Sequence, residues 1–136
     1  MANGIYDKAR EEFLGSGLDF SSDTIKVVAV DTAGYAVNLA AADPVLNDIG
    51  GSYRIATSGA LASKTITGGV ADADDITFSS VTGASIEALV IYKDTGNVNT
   101  SRLIAYIDTA TGLPVTPNGG NITVTWDNGA NKIFKL

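Results

Sequence analysis

Three apolar runs in this chain stop in the same way. Val27 to Gly34 reads VVAVDTAG, Leu89 to Gly96 reads LVIYKDTG, and Leu103 to Gly112 reads LIAYIDTATG. Each run is rich in β-branched and aromatic side chains, which fit the pleated surface of a strand. Each is closed by Asp-Thr and then a small residue. Asp and Thr side chains can hydrogen-bond their own backbone and so turn the chain. A sequence punctuated like this folds into short strands joined by sharp turns.

The rest of the chain extends the pattern. Ile25 to Val30 reads as the first firm strand, and its nearly continuous apolar run predicts burial on both faces. Tyr35 to Leu39 reads as a second, short strand. Asp43 before Pro44 predicts a capped helical turn over Pro44 to Asp48, with Pro at the first helical position. Tyr53 to Thr57, Leu61 to Thr67 (Ile66 pointing inward) and Ala73 to Phe78 follow as strands. Ile86 to Tyr92 and Leu103 to Ile107 are the strongest, and the polar stretch Asp94 to Ser101 joins them as a hairpin with a long loop. Gly112 to Gly120 is a loop. Ile122 to Trp126 alternates as a half-buried strand, Asp127 to Asn131 turns, and Lys132 to Leu136 returns.

The expected fold is mainly β: an antiparallel sandwich or flattened barrel of about eight strands in one domain spanning 1–136. Strands do not alternate with long helices, which argues against a parallel α/β sheet. Period-2 spacing nominates Val28, Val30, Leu89, Ile91, Ile104, Tyr106, Val124 and Trp126 for the core.

The N-terminal segment, residues 1–20, differs from this body. Ile5, Ala9 and Phe13 recur at i, i+4 and i+8 with Tyr6 beside them, one face of a helix over Gly4 to Leu14. Asn3 is placed as its N-cap, and Gly15 and Gly17 end it. Isolated helices of about ten residues are marginal in water, so this face needs a cover. Ile5, Tyr6, Ala9 and Phe13 are therefore the candidate interface residues, facing either the chain's own sheet or another subunit.

Composition narrows the function. The net charge of −6, with nine scattered Lys and Arg, argues against a nucleic-acid or anionic-membrane partner. The chain has no Cys and no His, which removes disulfides, zinc-type ligand sets and the commonest general base. No apolar run approaches the ~20 residues that span a bilayer. The N-terminus lacks the pattern of a secretory signal, so the chain reads as a soluble protein made in the cytoplasm.

Candidate chemistry is sparse. Asp72, Asp74 and Asp75 have the composition of a calcium loop without its spacing or closing Glu, and a solvated turn explains them. Asp31, Asp94 and Asp108 sit at strand ends and could converge as hydrolase carboxylates, yet the Asp-Thr turns already account for them. There is no nucleophile elbow and no phosphate loop. Trp126, the sole tryptophan, could stack on a sugar but in an alternating strand is better placed in the core. No catalytic residue, metal ligand or cofactor is assigned.

The segments IYDKAREEFL, DTIKVVAVDT, GGVADADDITFSSVTG and EALVIYKDTG, with the tail from Ser101 to Leu136, resemble a family of small structural proteins of tailed phages. The resemblance runs from Ile5 to Leu136 and departs between Gly15 and Phe20, where Gly and Ser replace apolar residues. It implies a non-enzymatic virion protein, above all a capsid decoration (cement) protein. The alternative is a tail-associated or host-surface (glycan) binding module. The implied partners are the major capsid protein or other virion proteins. Many copies per particle also imply a homo-oligomer, trimer ahead of dimer.

Overall fold

The computed structural model describes residues 3–110, 112–126, 129 and 132–135. Among them are ten short strands and one α-helix, and every strand pairing is antiparallel. The architecture is the expected mainly-β, sandwich-like one, with ten strands in place of eight. Most of the turn expected over Asp127 to Asn131, and Leu136, lie outside the described residues.

The centre is a five-stranded sheet in the order β1(Gly4–Ile5), β8(Leu103–Ile107), β7(Ala88–Lys93), β2(Ile25–Val30), β3(Arg54–Thr57). Its middle strands β2 and β7 run in unbroken register from Ile25 opposite Lys93 to Val30 opposite Ala88. Val27, Val28, Ala29, Val30, Val90 and Ile91 have no exposed surface, so both faces of these strands are covered. That explains why their apolar runs are continuous rather than alternating.

Two smaller sheets lie over one face. One has the order β10(Phe134–Lys135), β5(Val70–Asp72), β4(Thr65–Thr67), and the other pairs β6(Ile76–Phe78) with β9(Ile122–Val124). The β4–β5 hairpin turns on Gly68 and Gly69, with φ of +61° and +79°. A two-residue turn of this hand needs positive φ at both positions, which glycine takes without a Cβ clash.

The other face is covered by an irregular segment, residues 31–53. Tyr35 packs its ring against Tyr106, centroids 6.5 Å apart, and its hydroxyl lies 2.6 Å from that of Tyr6. Tyr35 to Leu39 is therefore not a strand. Its side chains Tyr35, Val37 and Leu39 pack on the core, while the Leu39 carbonyl accepts from Asp7 N–H rather than from a ladder partner. The helical turn near Pro44 is a single tight turn, Leu46–Asp48. Its cap is not Asp43: the Asp48 carboxylate accepts from Val45 N–H at 2.9 Å, and Asp43 pairs instead with Arg102.

The helix is shorter than its pattern predicts. α1 spans Asp7–Leu14, because Gly4 and Ile5 pair with Tyr106 and Ala105 as an edge strand. Asn3 caps no helix. Its Oδ1 accepts from the N–H groups of Asp108 and Thr109 at 2.9 and 3.0 Å, tying the chain start to the end of β8. The stop at Gly15 and Gly17 is as expected, each donating its N–H back to Glu11 and Glu12.

Seven of the eight nominated core residues are buried, and Trp126 is among them. Val124 is only half-buried, since β9 belongs to a two-stranded sheet at the margin. Ile66 points out, not in, with 54% of its surface exposed. It sits on β4, an edge strand of its sheet, with β5 on one side and, among the described residues, no strand on the other.

Candidate functional site

The four candidate interface residues part company in the structure. Ile5, Tyr6 and Ala9 are buried inside the chain's own core. Burial and the bond to Tyr35 hold the Tyr6 hydroxyl neutral far above the usual phenol range, and burial also raises Tyr35. The cover these side chains need is their own sheet: α1 lies against β8. This corrects the reading of Ile5, Tyr6 and Ala9 as surface contacts, since their apolar atoms are already out of water.

Arg102 locks that arrangement. Its Nε donates to Glu12 of α1 at 3.1 Å, and its Nη1 donates to Asp43 at 2.7 Å and to the Pro44 carbonyl at 3.2 Å. Its side chain is 14% exposed. One guanidinium thus joins the helix, the start of β8 and the covering segment. Nearby, Leu46 and Leu103 N–H donate to the Ser101 and Pro44 carbonyls. The outer edge of β8 is closed by this segment at one end and by β1 at the other, which removes it as a template for another chain.

Phe13 has a different setting. It packs near Phe134 (centroids 6.2 Å), and Phe20 meets Phe134 edge-on at 5.7 Å. Phe13, Leu18, Phe20, Ile66, Ala71 and Phe134 line a groove of about 400 Å³. Phe134, Ala71 and Ile66 lie directly across from one another on three neighbouring strands, one row on one face. The row is covered at Phe134 and Ala71 and open at Ile66. Leu14, next in the chain to Phe13, is 91% exposed. The sequence pattern grouped Leu14 with nothing, and its signal was present only as a large apolar residue at a helix end.

The carboxylates do not gather. Asp31 accepts from Ala33 N–H and Asp94 from Gly96 N–H, both at 3.0 Å, the local turn bonds expected of Asp-Thr. Asp108 Oδ1 accepts from Thr109 Oγ1 at 3.0 Å. The antiparallel register puts Asp31 and Asp108 at one end of the sheet and Asp94 at the other, so the three cannot face one cleft. Lys26 pairs with Asp94 at 2.7 Å, and its ammonium, followed by the Gly96 N–H, holds that carboxyl below its usual range. In the acidic bend, Asp75 accepts from Trp126 N–H, and Asp72 lies 3.9 Å from Lys132. Among the described residues no cluster is placed to hold a metal ion, and no helix is long and apolar enough to cross a membrane.

Trp126 is fixed as part of the wall between layers. Its Nε1–H donates to the Asp74 carbonyl at 3.0 Å, and it is buried. The ring faces the space between the layers and not the outer surface, with 6% of the residue exposed.

No protein-family model matches the chain, and no curated protein matches it.

Proposed function

We propose that this chain is a non-enzymatic structural protein of a tailed-phage virion, a decoration protein that stabilises the capsid lattice. The reading rests on the resemblance of the sequence to small phage structural proteins. One structural observation supports it most: a sheet covered on both faces stands beside an apolar groove left open at Ile66, with Leu14 exposed next to Phe13 in the chain. A lattice cement needs such a pairing, a body that resists local opening and a surface that gains by being covered.

In this reading the groove and the free edge of β4 meet the major capsid protein or a neighbouring copy. Phe13, Leu14 and Ile66 replace Ile5, Tyr6 and Ala9 as the contact residues. Weak contacts suffice, because copies fixed on one lattice act at high effective concentration. The chain assembles as a homo-oligomer, trimer ahead of dimer on local capsid symmetry. The tail-associated alternative finds less support, since the Trp126 indole is not presented on the outer surface.

Cryo-electron microscopy of the phage particle tests the proposal. Density for this fold on the outer capsid surface, repeating with the lattice, is the expected result. Density confined to the tail would transfer the protein to the alternative role, and its absence from purified virions would sink both.

A further inference from the structure

We propose that the gap between the two layers is a binding site for an elongated amphipathic anion, a molecule with an apolar body and a carboxylate, sulfonate or phosphate head. Where the β1–β8 margin of the large sheet faces the C-terminal strands, the layers diverge into a cleft of about 860 Å³. That lies within the ~300–1,000 Å³ of small-molecule sites. Leu89, Ala105 and Ile107 form one wall, and Val124, Trp126 and Ile133 the other. The Trp126 ring is held in that wall by its Nε1–H bond to the Asp74 carbonyl, while its backbone N–H donates to the Asp75 carboxylate.

The charges at the cleft run against the rest of the molecule. The chain carries a net charge of −6, yet Arg10, Lys132 and Lys135 line the cleft and no Asp or Glu does so among the described residues. The three cations are weakly engaged. Arg10 lies 3.4 Å from Asp7 on the exposed helix face, and Lys132 lies 3.9 Å from Asp72. Lys135 makes no ion pair among the described residues. Exposed pairs at such distances contribute little, so an incoming anion can take these cations without a large loss. A lining that combines these apolar residues with three cations, beside the polar Asn3, Thr109 and Thr125, suits a ligand that is both apolar and negative.

The sole tryptophan makes the test direct, because Trp126 lines the cleft. The isolated protein is titrated with anilinonaphthalene sulfonate while Trp126 emission is followed, and bound probe is then displaced with dodecanoate or with dodecanol. Expected is saturable binding of one probe per chain with Trp126 quenching. Dodecanoate should displace it at least about tenfold more effectively than dodecanol, the size of one charge-assisted contact. The surface variant Lys132→Glu with Lys135→Glu should bind at least about tenfold more weakly, with an unchanged urea midpoint. Ala105→Leu, which narrows the cleft, should also weaken binding. Should that variant fail to fold, the charge reversal decides alone. Absence of saturable binding to the folded protein overturns the proposal. So does unaltered affinity in the charge-reversed variant, which would put the probe in the groove beside Phe13 and Phe20. The readout needs no virion, so it stands or falls apart from the assignment to a phage particle.

Discussion

The five-stranded sheet and the β10–β5–β4 sheet are built from the same kinds of residue and behave oppositely. In the large sheet, β2 is covered on both faces and paired along both edges, by β7 and by β3. In the small sheet, all three residues of β4 are exposed and, among the described residues, its outer edge faces no strand. Isoleucine shows the contrast at a single residue type: Ile91 has no exposed surface, Ile66 more than half. Apolar character alone does not tell buried from exposed residues. Position in the sheet order does. The large sheet holds the chain together, and the small one has its apolar surface left over for something else.

The sharpest way to break this comparison is to make the same change in both sheets. Ile91→Ala opens a cavity among fully buried neighbours and should cost about 2–5 kcal/mol in urea unfolding. Ile66→Ala removes a side chain that is mostly in water and should stay within about 0.5 kcal/mol. Similar losses at the two sites would mean that the small sheet is as much core as the large one.

Next in size is the joint at Arg102. Arg102→Ala leaves Glu12 without its cation and frees the helix from the segment at Asp43 and Pro44. Asp43 is largely exposed and contributes little, so the loss comes from Glu12, the Pro44 carbonyl and the buried stem. The expected cost is about 1–3 kcal/mol. Hydrogen exchange should show α1 and β1 opening before β2 and β7. Uniform opening would mean that the helix is held by its apolar face alone.

What could be read in the sequence follows the same divide. β2, β7 and β8 were legible because a strand covered on both faces needs an unbroken apolar run, and each run ends in its own Asp-Thr turn. The Trp126 indole was placed correctly for a similar reason, since alternation fixes a face. β1 was not legible: two residues become a strand only because β8, a hundred positions later, offers its edge to Gly4 and Ile5. That same pairing took Asn3 from the helix and moved the helix start to Asp7. Tyr35 to Leu39 has the composition of a strand, but its neighbours are side chains on a sheet face. The exposure of Ile66 depends on which strand ends a sheet, and the strand order of a sheet is not written in local pattern. The groove and the cleft arise between elements distant in sequence, so neither had a motif to announce it.

The tyrosine layer gives a smaller, pH-dependent effect. Tyr6 and Tyr35 are raised above the ordinary phenol range, and burial also lifts Tyr92 and Tyr106 to about 12. A group with its folded pKa raised contributes stability that is fully present below its unfolded pKa, near 10 for tyrosine. That stability is lost as pH rises from there toward the folded value. Urea stability should therefore be flat on this account below about pH 9 and fall above about pH 10. Phenolate absorbance should report the loss as unfolding begins. In Tyr6→Phe the slope above pH 10 should be shallower. An unchanged slope would assign the alkaline loss to other groups.

The smallest effect on stability should be the largest on assembly. Leu14 and Ile66 lie in water in the single chain, so Leu14→Ser with Ile66→Ser should shift the urea midpoint little, within about 0.5 kcal/mol per site. If these residues are a contact surface, their loss should remove apolar area from that contact. The change should lower occupancy on particles or shift the oligomer toward monomer in sedimentation. The control is Leu89→Ser, a buried substitution on the large sheet, which should destabilise the fold and reduce assembly only in proportion to the folded fraction. A Leu14 and Ile66 double variant that stays folded and still assembles normally would show that these two exposed side chains are not the contact, and would leave the small sheet without the role that Ile66, the open end of its apolar row, suggests.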